Sequence, residues 1–266
     1  MVLYYFVIIS FNRSIVQIII VLIHYCNQMT TTSGNGRLGN QIIRNLAVSL
    51  IAKKHNLKVN YFNKDLISKL GIHLFDGINV HKRCIPLNDA NYFDIHNCDE
   101  LNNNLEPNAS FFQTKEIIKV LHDHLHTDAV QSQIIEKNPF KHRYNANNDL
   151  FVHVRLADAA RWNPGIDYYL NAIKHTLHDR MYISTDDANH PIVQKLLTLP
   201  NSTLTNHDEI TTMQFGSTCK HIVLSHGSFS AVIGYISYFS TIHYPKYDVT
   251  KMWYGDMFSI DNWIEI

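Results

Sequence analysis

The chain has 266 residues, of which 45% are hydrophobic and 17% charged, so it can bury a large core as one α/β unit or as two compact halves. Lys and Arg together number 23, as do Asp and Glu, and this balance provides no strong field for holding nucleic acid or an anionic membrane. The composition therefore argues against a nucleic-acid partner.

Cysteine and histidine spacing adds no metal site to this picture. The four cysteines include no CxxC pair, and one disulfide between Cys84 and Cys98 is neither demanded nor excluded. The 17 histidines show no spacing typical of a metal scaffold. His122, His124 and His126 are interpreted as a solvated helix surface in preference to a zinc site, and no metal is expected.

The first 26 residues are almost entirely apolar. They form two runs separated by Asn12, Arg13 and Ser14, and neither run reaches the ~20 residues that a bilayer span requires. Joining the runs would place Arg13 near mid-membrane at a cost of about 3 kcal/mol. Residues 1–28 are therefore either a weak anchor, giving membrane association through residues 1–26, or upstream read-through before a working start near Met29. We favour the second; the protein would then be soluble and cytoplasmic.

A β-prone stretch, a glycine-rich turn and a periodic helix follow over residues 30–56. Gly34, Gly36 and Gly39 would let backbone approach a ligand, and the helix that begins after them would direct its free N–H groups into a cleft. The stretch matches neither GxGxxG nor the Walker lysine motif, so a tight turn without a ligand explains it equally well. On the helix, one face is apolar, and Arg44 is predicted to lie off that face. The apolar positions are Ile42, Ile43, Leu46, Ala47, Leu50 and Ile51.

The same alternation of strands and helices continues on both sides of a polar run at 141–149, which is predicted to be a linker. Before it come a strand at 57–62 and an amphipathic helix at 114–125. After it we predict strands at 151–154, 181–187 and 221–225 and helices at 166–177, 188–198, 207–219 and 229–239. This order indicates two parallel-sheet halves, residues 29–147 and 148–266.

The most informative stretch is FVHVRLAD, residues 151–158, an apolar strand that delivers polar groups to its carboxyl end. Ligands bind at that edge of an open α/β sheet. His153 and Arg155 are two apart and point to the same side. The guanidinium of Arg155 offers a planar fork of donors that fits a diphosphate. A structural pair between Arg155 and Asp158, with His153 as a satisfied core residue, remains the alternative.

Four collinear segments between about residues 34 and 240 resemble blocks of the family 11 glycosyltransferases, the α-1,2-fucosyltransferases. GNGRLGNQIIRNLAVSLIA (34–52) resembles their GGxGNQxFQYAxAxxLA opening, and HVRLAD (153–158) resembles their HxRRGD motif, followed by YYLNAIK (168–174). YISTDD (182–187) resembles FSDD, and CKHIVLSHGSFSAVIGY (219–235) resembles CxHNIxSNSSFSWWGA. One such match would be weak, but four in the same order are specific.

The resemblance implies a GT-B architecture, in which two Rossmann-like domains face a cleft. It also implies inverting, metal-independent transfer of a sugar, most simply fucose from GDP-fucose, to a glycan hydroxyl, with no cofactor besides the donor. By this resemblance residues 29–147 would form the acceptor-side domain and residues 148–266 the domain that binds the nucleotide sugar. Arg155, His153 and Asp158 would be the catalytic residues. The substrate-binding residues would be Gly39, Asn40, Gln41, Asp186, Asp187, His226, Ser228, Phe229 and Ser230.

Several roles stay open at the level of sequence. Asp158, His153 and His226 are each candidates for the catalytic base. Asp186 and Asp187 would accept hydrogen bonds from ribose or guanine, or one of them would cap the next helix.

Leu156 stands where the family has a second arginine, and Ala157 stands where it has glycine. Because two guanidinium groups usually stabilise a departing diphosphate without metal, a nucleotide-sugar-binding or carbohydrate-binding protein that has lost turnover is the alternative function. An NAD-dependent oxidoreductase also fits the alternation of strands and helices, but the GxGxxG turn and its ribose-binding acid are absent from the sequence.

Overall fold

The computed structural model describes residues 29–246, 248, 250, 252 and 255–266. The apolar segment 1–28, interpreted above as a weak anchor or upstream read-through, lies outside the described residues. Within the described ranges, no helix is both long enough and apolar enough to cross a bilayer.

The N-terminal half combines helices with very short parallel strands. The strands are β1 Thr30–Thr31, β2 Val59–Asn60, β3 Cys84–Pro86 and β4 Asn104–Glu106, paired β1 with β2 and β3 with β4. The helices are α1 Leu38–His55, α2 Lys64–Ser68, α3 Tyr92–Asn97, α4 Lys115–Leu125 and α5 Asp128–Lys137. The strand predicted at 57–62 is thus reduced to two residues. Asn56 ends α1 in the left-handed conformation that asparagine tolerates better than most residues.

The C-terminal half contains a parallel sheet of six strands among the described residues, in the order β10-β9-β8-β5-β6-β7. These strands are β5 Leu150–Val154, β6 Met181–Thr185, β7 Ser202–Leu204, β8 His221–Val223, β9 Thr241–Tyr244 and β10 Ile264–Glu265. The connecting helices are α6 Ile166–Lys174, α7 Pro191–Leu197, α8 Glu209–Gly216 and α9 Ser228–Tyr235. The predicted α/β class is therefore confirmed, with a sheet compatible with a Rossmann-like fold.

The central strand β5 has every residue buried, as expected of a parallel strand covered on both faces. Its side chains alternate between two apolar clusters, as its sequence predicts. Phe151 joins the cluster that contains α1, α8 and α9, whereas Val152 and Val154 join the one that contains α6 and α7. His153 therefore points to the same side as Phe151, toward α9.

One apolar cluster connects the two halves. It includes Ile42 and Leu46 of α1 together with Val232 of α9, and all three are buried. Arg44, predicted to lie off the apolar face, is also fully buried, because its guanidinium donates to backbone carbonyls of two loops that cover α1. The helix α1 is thus enclosed on nearly all sides and forms a shared wall between the halves.

The structure answers one question about cysteine that the sequence left open and corrects one expectation about histidine. Cys98 has a free thiol, so the bond between Cys84 and Cys98 that the sequence left open is not formed. His122 and His126 stack on each other, with ring centroids 3.9 Å apart, and both are half-buried where a solvated surface was expected. Burial lowers the pKa of His122 to about 4. Among the described residues no group of three or more His, Cys, Asp or Glu could hold a metal ion.

Candidate functional site

A cavity of about 340 Å³ opens at the carboxyl edge of the six-stranded sheet, between the start of α1 and the ends of β5, β6 and β8. Because parallel strands end at the same edge, residues far apart in sequence converge there. Arg155 and Asp158 follow β5, Asp186 follows β6, and His226 follows β8. The structure thus brings most of the predicted site residues to one cleft.

Arg155 is the most enclosed cation of the cleft, with 15% of its side chain exposed. Its guanidinium contacts both Asp158 and Asp186. The carboxylate of Asp186 is held in turn by the backbone N–H of Leu156, 2.8 Å from Oδ1. Burial and the nearby Arg37 lower the pKa of Arg155, but a guanidinium remains protonated at neutral pH. The ion pair between Arg155 and Asp158, which the sequence left as an alternative, is therefore present, and both residues line the cavity.

A second arginine, which the sequence analysis did not single out, reaches the same carboxylates from the other half. Arg37 directly precedes α1, and its Nη2 lies 3.3 Å from Oδ1 of Asp158 while its Nη1 lies 3.4 Å from Oδ2 of Asp186. Two guanidinium groups and two carboxylates thus form one cluster across the cleft. A basic residue immediately before a helix after a glycine-rich turn was the available sequence signal.

Two helix N-termini meet at this cluster. The starts of α1 and α9 lack a side-chain cap from any described residue, so their first-turn N–H groups have no acceptor of that kind. Gly39 explains how they come so close, since a Cβ at this position would lie 2.5 Å from the backbone N of Phe229. Gly39 therefore acts in helix packing, and the cavity wall is formed by its neighbours Asn40 and Ser228.

His153 is buried beside the cleft and is held by a serine. Its Nδ1 lies 2.5 Å from Oγ of Ser230, whose oxygen also accepts the backbone N–H of Ser225 at 3.2 Å. Its ring packs against that of Phe229, with centroids 5.2 Å apart. Burial, with a smaller effect of Arg155, lowers the pKa of His153 to about 3, so the imidazole is neutral at pH 7. Ser230 is itself fully buried, and it positions His153 instead of facing the cavity.

Two further predicted residues have side chains committed elsewhere. Gln41 donates to the carbonyl oxygens of Gly34 and Gly36, at 3.2 and 2.8 Å, and so braces the glycine-rich loop from behind. Asp187 accepts the backbone N–H of Asn189 at 3.2 Å, which closes a turn before α7. Neither residue lines the cavity. Of the two acids at the end of β6, only Asp186 does so.

The remaining predicted residues line the cavity. Asn40 accepts a hydrogen bond from Nε2 of Gln113 at 2.7 Å, which ties the start of α1 to the loop before α4. His226 is nearly buried in the wall, and burial lowers its pKa to about 4. Ser228 and Phe229 expose the first turn of α9 to the cavity.

Several cavity residues were not found from sequence. Glu209 and His207 come from the start of α8, where the pattern indicated only a helix. Trp162 belongs to a 3-10 turn after β5, and Gln113 to an irregular loop. Neither position has a local pattern that distinguishes it from an ordinary surface residue.

Comparison with known proteins finds neither a family model nor a curated protein that matches this chain.

Proposed function

We propose that the protein is an inverting, metal-independent glycosyltransferase that moves a sugar, most simply fucose from GDP-fucose in α-1,2 linkage, to a glycan hydroxyl. The two halves would act as the acceptor and donor sides of a GT-B-like cleft. One observation carries the proposal: Arg37 and Arg155 converge from opposite walls on the point where two uncapped helix N-termini meet. Guanidinium forks and free helix N–H groups are the donors that bind a diphosphate without a metal ion.

We propose that Arg37 supplies the second positive charge that is missing at Leu156. The resemblance gives the family two successive arginines after the strand, and this chain keeps only Arg155 there. The second positive charge comes instead from the start of α1, on the other side of the cleft. A diphosphate between the two would contact one guanidinium from each half.

Binding would exchange the partners of the charged cluster. Asp158 and Asp186 now accept from both arginines, and a diphosphate offers the same guanidinium groups oxygens of higher charge. The guanidinium groups exchange one set of charged hydrogen bonds for another, so the net gain comes from the higher charge of the ligand and from the helix N–H groups at the starts of α1 and α9. Asp158 would then be released into the cavity as a carboxylate with an open acceptor position.

Asp158 is accordingly the proposed base. His153 is fixed by Ser230 and, like His226, is nearly buried in the cavity wall, whereas the side chain of Asp158 lines the cavity and is 63% exposed. In the proposed step, the acceptor oxygen forms a bond to the anomeric carbon as the carbon–oxygen bond to the diphosphate breaks. The proton of the acceptor hydroxyl goes to Asp158, and the diphosphate leaves with the bonding electron pair beside Arg37 and Arg155.

The nucleotide base is proposed to lie toward α8. Glu209 is exposed at the first residue of that helix, lines the cavity and has no ion-pair partner in the described chain. A free carboxylate can accept both the N1–H and the N2–H of guanine, which other common bases do not offer together. Ser184 and Asp186, at the end of β6, would face the ribose.

The test is nucleotide binding measured by thermal shift and calorimetry across GDP, GDP-fucose, GDP-mannose and UDP-galactose, followed by transfer assays. A ligand that binds only the folded state raises its stability in proportion to the binding free energy. Arg155→Lys keeps the charge but loses the fork, and we expect GDP to bind roughly 10- to 100-fold more weakly. Arg37→Gln is expected to weaken binding by a similar factor.

The matched control is Arg180→Gln, which removes an exposed positive charge at the opposite edge of the same sheet and should leave GDP affinity unchanged. The proposal would be overturned if none of the four nucleotides binds, or if both site variants bind GDP as tightly as the wild type.

A binding protein without turnover is the second candidate. It is favoured by the pairing of Asp158 with two arginines, because an oxygen already engaged by two guanidinium groups is not placed to accept a hydrogen bond from a substrate hydroxyl. Such a protein would bind GDP-fucose through Arg155 but release no GDP when supplied with an acceptor.

A further inference from the structure

A backbone reversal places two neighbouring phenylalanines on opposite sides of the loop before α4. Phe112 has φ +57, in the left-handed region that bulky residues avoid, and its ring is fully buried against Tyr92, with centroids 5.8 Å apart. Asp89 holds this conformation by accepting the N–H of Phe112 at 3.0 Å. With Phe112 turned into the core, Phe111 is directed outward and is 38% exposed.

The exposed ring of Phe111 is fixed from behind. The guanidinium carbon of Arg44 lies 4.8 Å from its ring centroid. Arg44 is fully buried and donates to the carbonyl oxygens of Ser110 at 3.2 Å and Asn35 at 3.0 Å, while no described carboxylate pairs with it. A buried cation committed to two loops and one ring holds Phe111 in place, and an exposed ring that is ordered in advance is suited to binding.

This ring adjoins the cavity on the side of the N-terminal half. Gly36 lines the cavity, and a Cβ at that residue would lie 3.0 Å from Cε1 of Phe111. Gln113, two residues further along the same loop, also lines the cavity. Phe62, which is 43% exposed, flanks the other side of the glycine-rich loop, against Gly34.

We infer that Phe111 is a stacking platform for a pyranose ring of the acceptor glycan. This inference rests on the proposed function, because it takes the opposite wall, with Arg155, as the donor side. A pyranose presents a face of C–H groups that packs on an aromatic ring, while its hydroxyls remain available to the polar groups of the cleft. On Phe111 such a sugar would direct its hydroxyls toward Asn40 and Gln113, which line the cavity.

The experiment compares Phe111→Ala, Phe111→Leu and Phe111→Tyr, with methyl β-D-galactopyranoside as the acceptor probe in transfer assays and in saturation-transfer NMR. Leu keeps an apolar side chain against Arg44 but removes the flat ring, so it separates stacking from packing. We expect Ala and Leu to raise the acceptor KM roughly 5- to 50-fold and Tyr to leave it nearly unchanged. Phe239→Ala is the matched control, since Phe239 is 37% exposed but precedes β9 at the opposite edge of the sheet.

GDP affinity, measured in parallel, separates this inference from the proposed function. Loss of probe binding in the Ala and Leu variants, with GDP affinity and Tm retained, would support the platform. Unchanged probe binding in both variants would overturn the platform and leave the proposed function standing. A wild-type protein that binds GDP but not the probe would have the same meaning. If the wild type binds the probe through Phe111 but does not bind GDP, the platform stands and the proposed donor site fails.

Discussion

Gly39 offers a sharp test of how the two halves meet. In Gly39→Ala the added methyl group would lie 2.5 Å from the backbone N of Phe229 and 2.5 Å from the carbonyl carbon of Ser228. Ordinary contacts of a Cβ are 3.4–4 Å, so the starts of α1 and α9 would have to separate by about 1 Å. Both clashing atoms belong to the backbone, and no side-chain rotation can relieve the overlap.

Two opposing effects set the size of the change. Replacing glycine by alanine within a helix stabilises by roughly 0.5–1 kcal/mol, because the unfolded chain has less conformational freedom to lose. Overpacking a well-filled contact costs roughly 1–3 kcal/mol. The clash is therefore expected to prevail, giving a net loss of about 1–2 kcal/mol, or a fall in Tm of roughly 2–8 °C for a chain of this size.

The assay is urea unfolding with paired measurement of GDP affinity. Lys53→Ala, an exposed substitution near the end of the same helix, is the control and should change stability by less than about 0.5 kcal/mol. Because Gly39 sits between Asn40 and the first turn of α9, we also expect weaker GDP binding by Gly39→Ala. A Gly39→Ala protein more stable than the wild type would refute the backbone contact and, with it, the geometry of the candidate site.

Three further predictions concern the same region. His153 and His226 have pKa values of about 3 and 4 in the folded protein against about 6.5 unfolded, so the unfolded chain binds more protons as the pH falls below 6.5. The free energy of unfolding should therefore fall by roughly 2 kcal/mol per histidine between pH 7 and 5, and a value from urea unfolding that does not change with pH would contradict this. Ser230→Ala removes the partner of His153 and of a buried backbone N–H, and should cost about 2 kcal/mol or more in urea unfolding; a loss under 0.5 kcal/mol would show that neither bond matters. Ala157 has φ +36, a backbone conformation that favours glycine, so the Ala157→Gly protein should be about 1–2 kcal/mol more stable than the Ala160→Gly protein, which carries the same change in the same turn. Equal Tm values for the two variants would count against strain at Ala157.

The three adjacent central strands of the C-terminal sheet, β8, β5 and β6, were predictable from their apolar runs, whereas β7, β9 and β10 were not predicted. Val152 and Val154 alternate with Phe151 and His153, and the structure separates them into two faces as the pattern requires. Polar residues directly after such strands must converge at one edge of a parallel sheet, which is why Arg155 and its neighbours were found. The sidedness of β5 thus follows from the spacing of its residues.

The N-terminal half was less predictable because side chains replace much of its sheet ladder. The backbone N–H of Leu105 donates to Oγ1 of Thr30, and that of Phe62 donates to Oγ1 of Thr32, where a longer strand would use carbonyl groups. Such bonds leave no alternation in sequence. The prediction that Arg44 lies off the buried face was wrong for a related reason. Its acceptors are carbonyl oxygens of loops, which the periodicity of the helix cannot anticipate.

Arg37 shows a further limit of sequence reasoning. Its importance lies in the distance to Asp158 and Asp186, residues more than 100 positions away, and no local pattern encodes that distance. The resemblance pointed to a missing arginine at Leu156, whereas the second arginine that contacts the same two carboxylates lies in the N-terminal half. Only the folded arrangement identifies it.

The direct backbone contact at Gly39, together with the apolar cluster that continues across it, has a consequence for kinetics. Hinged opening would expose Ile42 and Val232 to water, at a cost of about 25 cal/mol for every square ångström uncovered. A nucleotide should therefore enter a groove whose two walls already stand at their final spacing, and association should follow a single bimolecular phase without a slow rearrangement. Stopped-flow traces with rates linear in nucleotide concentration would be the signature of such a prearranged groove.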